Sequence, residues 1–153
     1  MDYSQWKPDF DRDGFVVVPQ FLPPEELATL TAEIARYIRE VVPTLSDSDA
    51  FYQNPTRPET LKQLQHMACD PFFDAYRRNR RWTQLAAALV GEPVEGMEPE
   101  WFNKPPGAAH PTPPHQDNFY FCLSPPHVVS LWLALDPVDE DNGCLRYVPG
   151  SHH

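Results

Sequence analysis

Nineteen prolines against six glycines, in a chain of 153 residues, constrain the fold more than any other feature. Proline has no N–H to give a strand ladder and clashes inside a helix, so each one marks a turn, a loop or a first helical position. The chain must therefore be built of short elements joined by stiff connections. Its length suits one domain, and a hydrophobic content of 41% is enough for a packed core. Twelve Lys and Arg against 22 Asp and Glu leave a formal charge of −10. Such a surface repels phosphate, so neither nucleic acid nor an anionic membrane is an expected partner. No apolar run is long enough to span a bilayer, and the amino end lacks the basic-then-apolar form of a signal peptide, so a cytoplasmic protein is expected. Cys69, Cys122 and Cys144 are odd in number and share no C-x-x-C spacing, which predicts buried thiols and not a disulfide framework or a zinc knuckle.

After a polar lead, Gly14 to Pro19 (GFVVVP) is a β-branched run between Gly and Pro and predicts a strand. Pro23-Pro24-Glu25-Glu26 then opens an amphipathic helix whose apolar positions are Leu27, Leu30, Ile34, Ile38 and Val41. Residues 42–58 read as a long loop. Helical spacing returns in TLKQLQHM, and again from Asp70 to Val90 with Gly91 as its stop. Arg77, Arg78, Arg80 and Arg81 suit a solvated helix face better than a phosphate site, because the chain around them is acidic. Beyond Gly91 the segments EPVEGMEPEWFNK, PHQDNFYFCL, HVVSLWLALDPV and GCLRYVPG are short, aromatic and β-branched, and predict successive strands. One domain over residues 1–153 is expected, mainly helical over 1–91 and a sheet over 92–153.

The informative stretch for chemistry is His115-Gln116-Asp117. On a strand, residues i and i+2 share a face, so the imidazole and the carboxylate would stand side by side and could hold one metal ion. Two histidines and one carboxylate on one face form the facial triad of non-haem Fe(II) oxygenases, with open positions for other ligands. Taken alone, His-x-Asp more often marks a surface turn or a hydrogen-bonded pair. His110, His127, His152 and His153 are the other imidazoles near enough in sequence to be weighed as a third donor. Phe119 and Tyr120 suggest an apolar wall for a substrate, although aromatics in strands are commonly core. No nucleophile elbow, P-loop or dinucleotide fingerprint is present.

Several of these stretches together, FNKPPG, HQDN and WLALDPVDEDNGCLRYVPGSHH, with DGFVVVPQFLPPEEL, LKQLQHMACDPFF and LVGEPV upstream, closely resemble the phytanoyl-CoA dioxygenase family of Fe(II)- and 2-oxoglutarate-dependent oxygenases. The resemblance covers nearly the whole chain in the right order. It implies a double-stranded β-helix, a jelly-roll barrel flanked by N-terminal helices, with residues 92–153 as its first strands and the remaining strands beyond His153. It assigns His115 and Asp117 as metal ligands, and Asn103 and Lys104 to the 2-oxoglutarate pocket, with Asn103 the hydrogen-bonding group. Lys62 and Gln65 match a segment that reaches towards that pocket, and Trp132 an aromatic beside the metal; a solvated helix lysine and ordinary packing are the competing readings of Lys62 and Trp132. The acidic DPVDEDNG run is then a strand connection and not a calcium loop.

The second metal histidine and the arginine for the distal carboxylate of 2-oxoglutarate are expected past the PGSH turn, outside these residues. Fe(II), 2-oxoglutarate and O₂ are the implied cofactors, and hydroxylation of a small organic substrate with release of succinate is the implied reaction. A metal-free jelly-roll binding module is the alternative from another class. A zinc hydrolase on a similar barrel would need a water-activating base, and none stands out. The sequence sets no oligomeric state.

Overall fold

A computed structural model describes residues 2–107, 112–125 and 127–153. Its elements are helices and a small sheet: α1 (Lys7–Asp13), α2 (Pro24–Glu40), β1 (Ala50–Tyr52), β2 (Leu61–Leu64), α3 (Pro71–Arg77), α4 (Arg80–Val90), β3 (Trp101–Phe102) and α5 (Asn118–Phe121). The strands form one antiparallel sheet in the order β1-β2-β3. No barrel forms among the described residues, and none of their helices is long and apolar enough to cross a membrane.

Helix α2 follows from its sequence: Pro24 takes a position where its missing N–H costs nothing, Glu25 and Glu26 face the positive end of the dipole, and Leu30, Ile34 and Tyr37 are buried one turn apart. They meet Leu61 and Leu64 of β2, Met67 and Phe73 in the larger of two apolar clusters. Tyr37, wholly enclosed, lies edge-on to Phe73 with ring centroids 5.3 Å apart. The smaller cluster joins Tyr3, Leu85 and Leu89.

Several expectations are corrected. The polar lead contains a helix, α1, ended by Gly14 at φ +81°. TLKQLQHM holds a strand instead of a helix, and the reason is a bulge. Tyr52 pairs with Leu61 and Phe51 with Gln63, so Lys62 has no partner of its own. The extra residue returns Leu61 and Leu64 to the same face, where both are buried, and a strand thereby acquires the three-residue spacing of a helix. The expected 42–58 loop contains a short 3₁₀ turn at Val42–Thr44 and β1. The single helix expected from Asp70 to Val90 is two, because the Asn79 side chain accepts from the Arg81 N–H at 3.0 Å and starts α4 afresh.

Of the four strands expected after Gly91, the described residues form only β3 within the first. The stretch around His115 ends in the one-turn helix α5, and 127–138 and 143–150 make no ladder. Nor does 14–19, where Val16 and Val18 pack on the smaller cluster while Val17 is 71% exposed. The same alternation runs through 130–133: Leu131 packs on the smaller cluster and Leu133 on the larger, with Ser130 and Trp132 facing out. The period of a strand is present in both segments without a partner to bond. The cysteines also differ from expectation: Cys69 and Cys122 are exposed and Cys144 half-buried. Cys69 sits in the 3₁₀ turn Met67–Cys69, with its Sγ 3.3 Å from the Tyr37 hydroxyl.

Candidate metal centre

His115 and Asp117 are brought together, though not by a strand. The His115 Nδ1 lies 2.8 Å from the carbonyl oxygen of Pro113. A carbonyl only accepts, so Nδ1 carries the hydrogen and donates, which fixes the ring and leaves Nε2 as the working nitrogen. That Nε2 stands 3.3 Å from Asp117 Oδ1. Asp117 has helical backbone angles, φ −59° and ψ −32°, and opens α5. Its other oxygen, Oδ2, accepts from the Ser130 hydroxyl. Gln116 points elsewhere, donating from Nε2 to the Ser151 carbonyl at 3.1 Å.

Around this pair, Tyr120 sets its ring edge-on to His115 at 5.1 Å, and Phe119 packs on Tyr120 at 5.3 Å. Phe119 is 76% and Tyr120 62% exposed, so they are wall and not core. With Pro113, Pro114 and Gln116 they line an open depression of about 400 Å³. Tyr147 is half-exposed; the partial burial of its hydroxyl, and after it the Asp117 carboxylate, raises that hydroxyl above the ordinary tyrosine value. Phe15 stacks on Tyr147 with centroids 4.8 Å apart. The turn that follows is clamped to the end of α1: the Gly150 N–H donates to the Asp13 carbonyl at 2.9 Å, and His152 Nε2 lies 3.2 Å from the Asp11 carbonyl. Gly14 is required there, since a Cβ would fall 2.4 Å from His152 Nδ1.

The residues expected at the cosubstrate pocket have partners of their own. Asn103 continues the β2–β3 pairing, its N–H donating to the Lys62 carbonyl at 2.8 Å and its Nδ2 to the Leu61 carbonyl at 3.0 Å. Lys104 donates from Nζ to the Gly143 carbonyl. Lys62 is exposed at the bulge, on a strand and not on the helix expected, and the Gln65 N–H bonds the Asp49 carbonyl at 2.9 Å. Trp132 is 47% exposed. Among the described residues no hydrogen bond or ion pair joins these side chains to His115 or Asp117.

The chemistry of the donor set fits iron as far as it goes. One imidazole nitrogen with its far side anchored to a carbonyl, beside one carboxylate, supplies two members of a facial triad. The described residues contain no group of three or more His, Cys, Asp or Glu placed to hold a metal. His127 instead pairs with Glu92 at 3.0 Å, the His152 and His153 rings lie tilted against each other with centroids 4.0 Å apart, and His110 lies outside the described residues. The arginine cluster is mostly paired: Arg77 and Arg78 share Asp74, and Arg81 reaches Glu26 at 2.6 Å. Sequence reasoning missed Ser130 and Tyr147. The signal for Ser130 is a lone hydroxyl in an otherwise apolar alternating run; nothing comparable marks Tyr147.

With the fold and this pair of donors described, comparison with known proteins defines the class. The family model for phytanoyl-CoA dioxygenase (PhyH) matches residues 10–153, and the chain belongs to that family. It is 34% identical over 83 residues to phytanoyl-CoA dioxygenase 1 of Oryza sativa subsp. japonica, a match covering 54% of this chain and 30% of that protein. It is 26% identical over 153 residues to the peroxisomal phytanoyl-CoA dioxygenase of Bos taurus, covering 94% of this chain and 45% of that protein. A phytanoyl-CoA dioxygenase domain-containing protein 1 homolog of Caenorhabditis elegans is 21% identical over 180 residues, covering 94% of this chain and 62% of that protein. The chain therefore spans less than half the length of the first two. No solved structure matches it significantly.

Proposed function

We propose that the protein to which this chain belongs is an Fe(II)- and 2-oxoglutarate-dependent oxygenase that hydroxylates an unactivated C–H bond of a small organic substrate. The observation that carries this is the pair itself: His115 Nε2 at 3.3 Å from Asp117 Oδ1, with Nδ1 bonded to a backbone carbonyl. In this reading residues 1–153 are one domain, and 92–153 open a double-stranded β-helix whose further strands, with the second histidine and an arginine, come from elsewhere in the protein. The outward-inward alternation at 130–133 and 16–18 supports it.

When bound, iron with 2-oxoglutarate supplies the oxidising power, which no side chain here possesses. The chain's own residues bind and orient. Pro113 holds the His115 ring so that Nε2 needs no reorganisation to donate its lone pair. Asn103 keeps one Nδ2 hydrogen on Leu61 and offers the other to the cosubstrate. Phe119 and Tyr120 present an apolar wall that favours a hydrocarbon part of a substrate and excludes water. Asp117 also decides between two outcomes: as an anionic ligand it fills a position that a halide would otherwise take, and its charge disfavours a second anion.

The test is turnover and binding together. The intact protein, given Fe(II), 2-oxoglutarate, O₂, excess chloride and any organic substrate that supports succinate formation, should release succinate and CO₂ and convert that substrate to a product heavier by one oxygen, with no chlorine. His115→Ala and Asp117→Ala should each abolish Fe(II) binding by calorimetry while the melting temperature holds. A second reading, a binding module without turnover, is favoured by the two-donor count among the described residues. Absence of Fe(II) binding in the intact wild-type protein would establish it in place of the first.

A further inference from the structure

Resting on the reading of His115 and Asp117 as ligands, we propose that Ser130 is a positioning residue that holds Asp117 to one-oxygen coordination. The two carboxylate oxygens have different partners. Oδ1 faces His115 Nε2 at 3.3 Å, on the side where an ion would sit, and Oδ2 accepts the Ser130 hydroxyl. A carboxylate can bind a cation through one oxygen or through both. A hydroxyl donated to Oδ2 occupies that oxygen and fixes the plane of the group, so that Oδ1 alone is presented.

Ser130 can do this because its backbone is anchored although its side chain is exposed. Leu131 packs into the smaller apolar cluster and Leu133 into the larger, which pins the extended segment from its inner side and turns Ser130 outwards, across from Asp117 thirteen positions earlier. The coordination count gives the device its purpose. In a six-coordinate site with three single-point protein ligands, three positions stay open, enough for a chelating cosubstrate and one further ligand. A two-point Asp117 would take one of them.

The experiment compares Ser130→Thr with Ser130→Val in the intact protein, a nearly isosteric pair that differs in the hydroxyl. Each is titrated with Co(II), and the Co(II) d–d absorption is recorded, since it reports coordination number without any turnover. The threonine variant should keep the wild-type spectrum and affinity. The valine variant should bind Co(II) about 10- to 100-fold more weakly, the usual effect of losing a partner behind a metal ligand, with an altered d–d spectrum and an unchanged melting temperature. Indistinguishable valine and threonine variants would overturn the role of Ser130. His115→Ala and Asp117→Ala serve as controls: if they too bind Co(II) like wild type, the metal reading itself falls. If they lose it while valine matches threonine, Ser130 alone is wrong.

Discussion

At the scale of single residues, Asn103 and Asp49 give two direct checks. Asn103 has one amide hydrogen committed to Leu61, so Asn103→Ala is expected to lower stability by about 1 kcal/mol, the usual net value of such a bond. If its other hydrogen serves 2-oxoglutarate, the same variant should weaken cosubstrate binding by about 1–3 kcal/mol with Fe(II) affinity unmoved; separate calorimetric titrations with each ligand decide it. Asp49 lies lower than an ordinary aspartate because Ser46 and then His66 donate to its carboxylate. A depressed folded value means the contribution is complete above the unfolded aspartate value of about 3.9 and is lost as pH falls through the folded one. Asp49→Asn should therefore flatten the loss of stability between about pH 5 and about pH 3, measured as urea midpoints; a parallel curve would remove Asp49 from the acid response.

The His-x-Asp pair was legible as a pair, but its stated geometry was not. One intervening residue suffices to put the two side chains together in a turn held by Pro113 as well as on a strand, so spacing could not choose. Tyr147 was illegible, and Ser130 marked only by its lone hydroxyl, because each is brought towards Asp117 by tertiary placement alone.

Among the elements, α2 was readable from Pro24 to its last turn, since the first-turn proline, the acidic pair on the dipole and the apolar period all agree. Strand β2 was not, because a bulge borrowed the spacing of a helix. The break between α3 and α4 rests on the Asn79 cap, a signal present in the sequence but overridden there by a continuous apolar stripe. Asp70 ties these elements together. Only 7% exposed, it accepts from Arg36 Nη2 of α2 on each of its oxygens at 2.9 Å and caps α3 by accepting the Phe72 N–H at 3.0 Å. Asp70→Asn keeps the cap and loses the charge, whereas Asp70→Ala loses both. The alanine variant should be less stable than the asparagine variant by about 1 kcal/mol, the usual worth of a cap, in denaturant unfolding. Equal stabilities would mean that the cap contributes nothing beyond the ion pair.

Among the described residues of the whole molecule, every buried residue of the two clusters lies at or before Leu89, while all the exposed large apolar side chains except Val17 fall between Met97 and Val148. The helical half was therefore legible as a core, and the other half only as a pattern of alternation that finds no ladder partner among the described residues. So much bare apolar surface predicts that the 153-residue chain, taken alone, binds a hydrophobic dye and self-associates. Sedimentation showing a monodisperse monomer without dye binding would contradict it.

The clamp between the PGSH turn and α1 joins groups 141 positions apart in sequence. Closing so long a loop is costly in entropy and comes after local contacts have formed. Tyr147 and Ser151, which flank the Asp117 loop, are thus ordered among the last parts of the chain. The Gly150 amide becomes a natural clock for this event. Its hydrogen-exchange rate should rise when α1 is deleted, and metal affinity should fall with it, although no residue of α1 lies among the ligands.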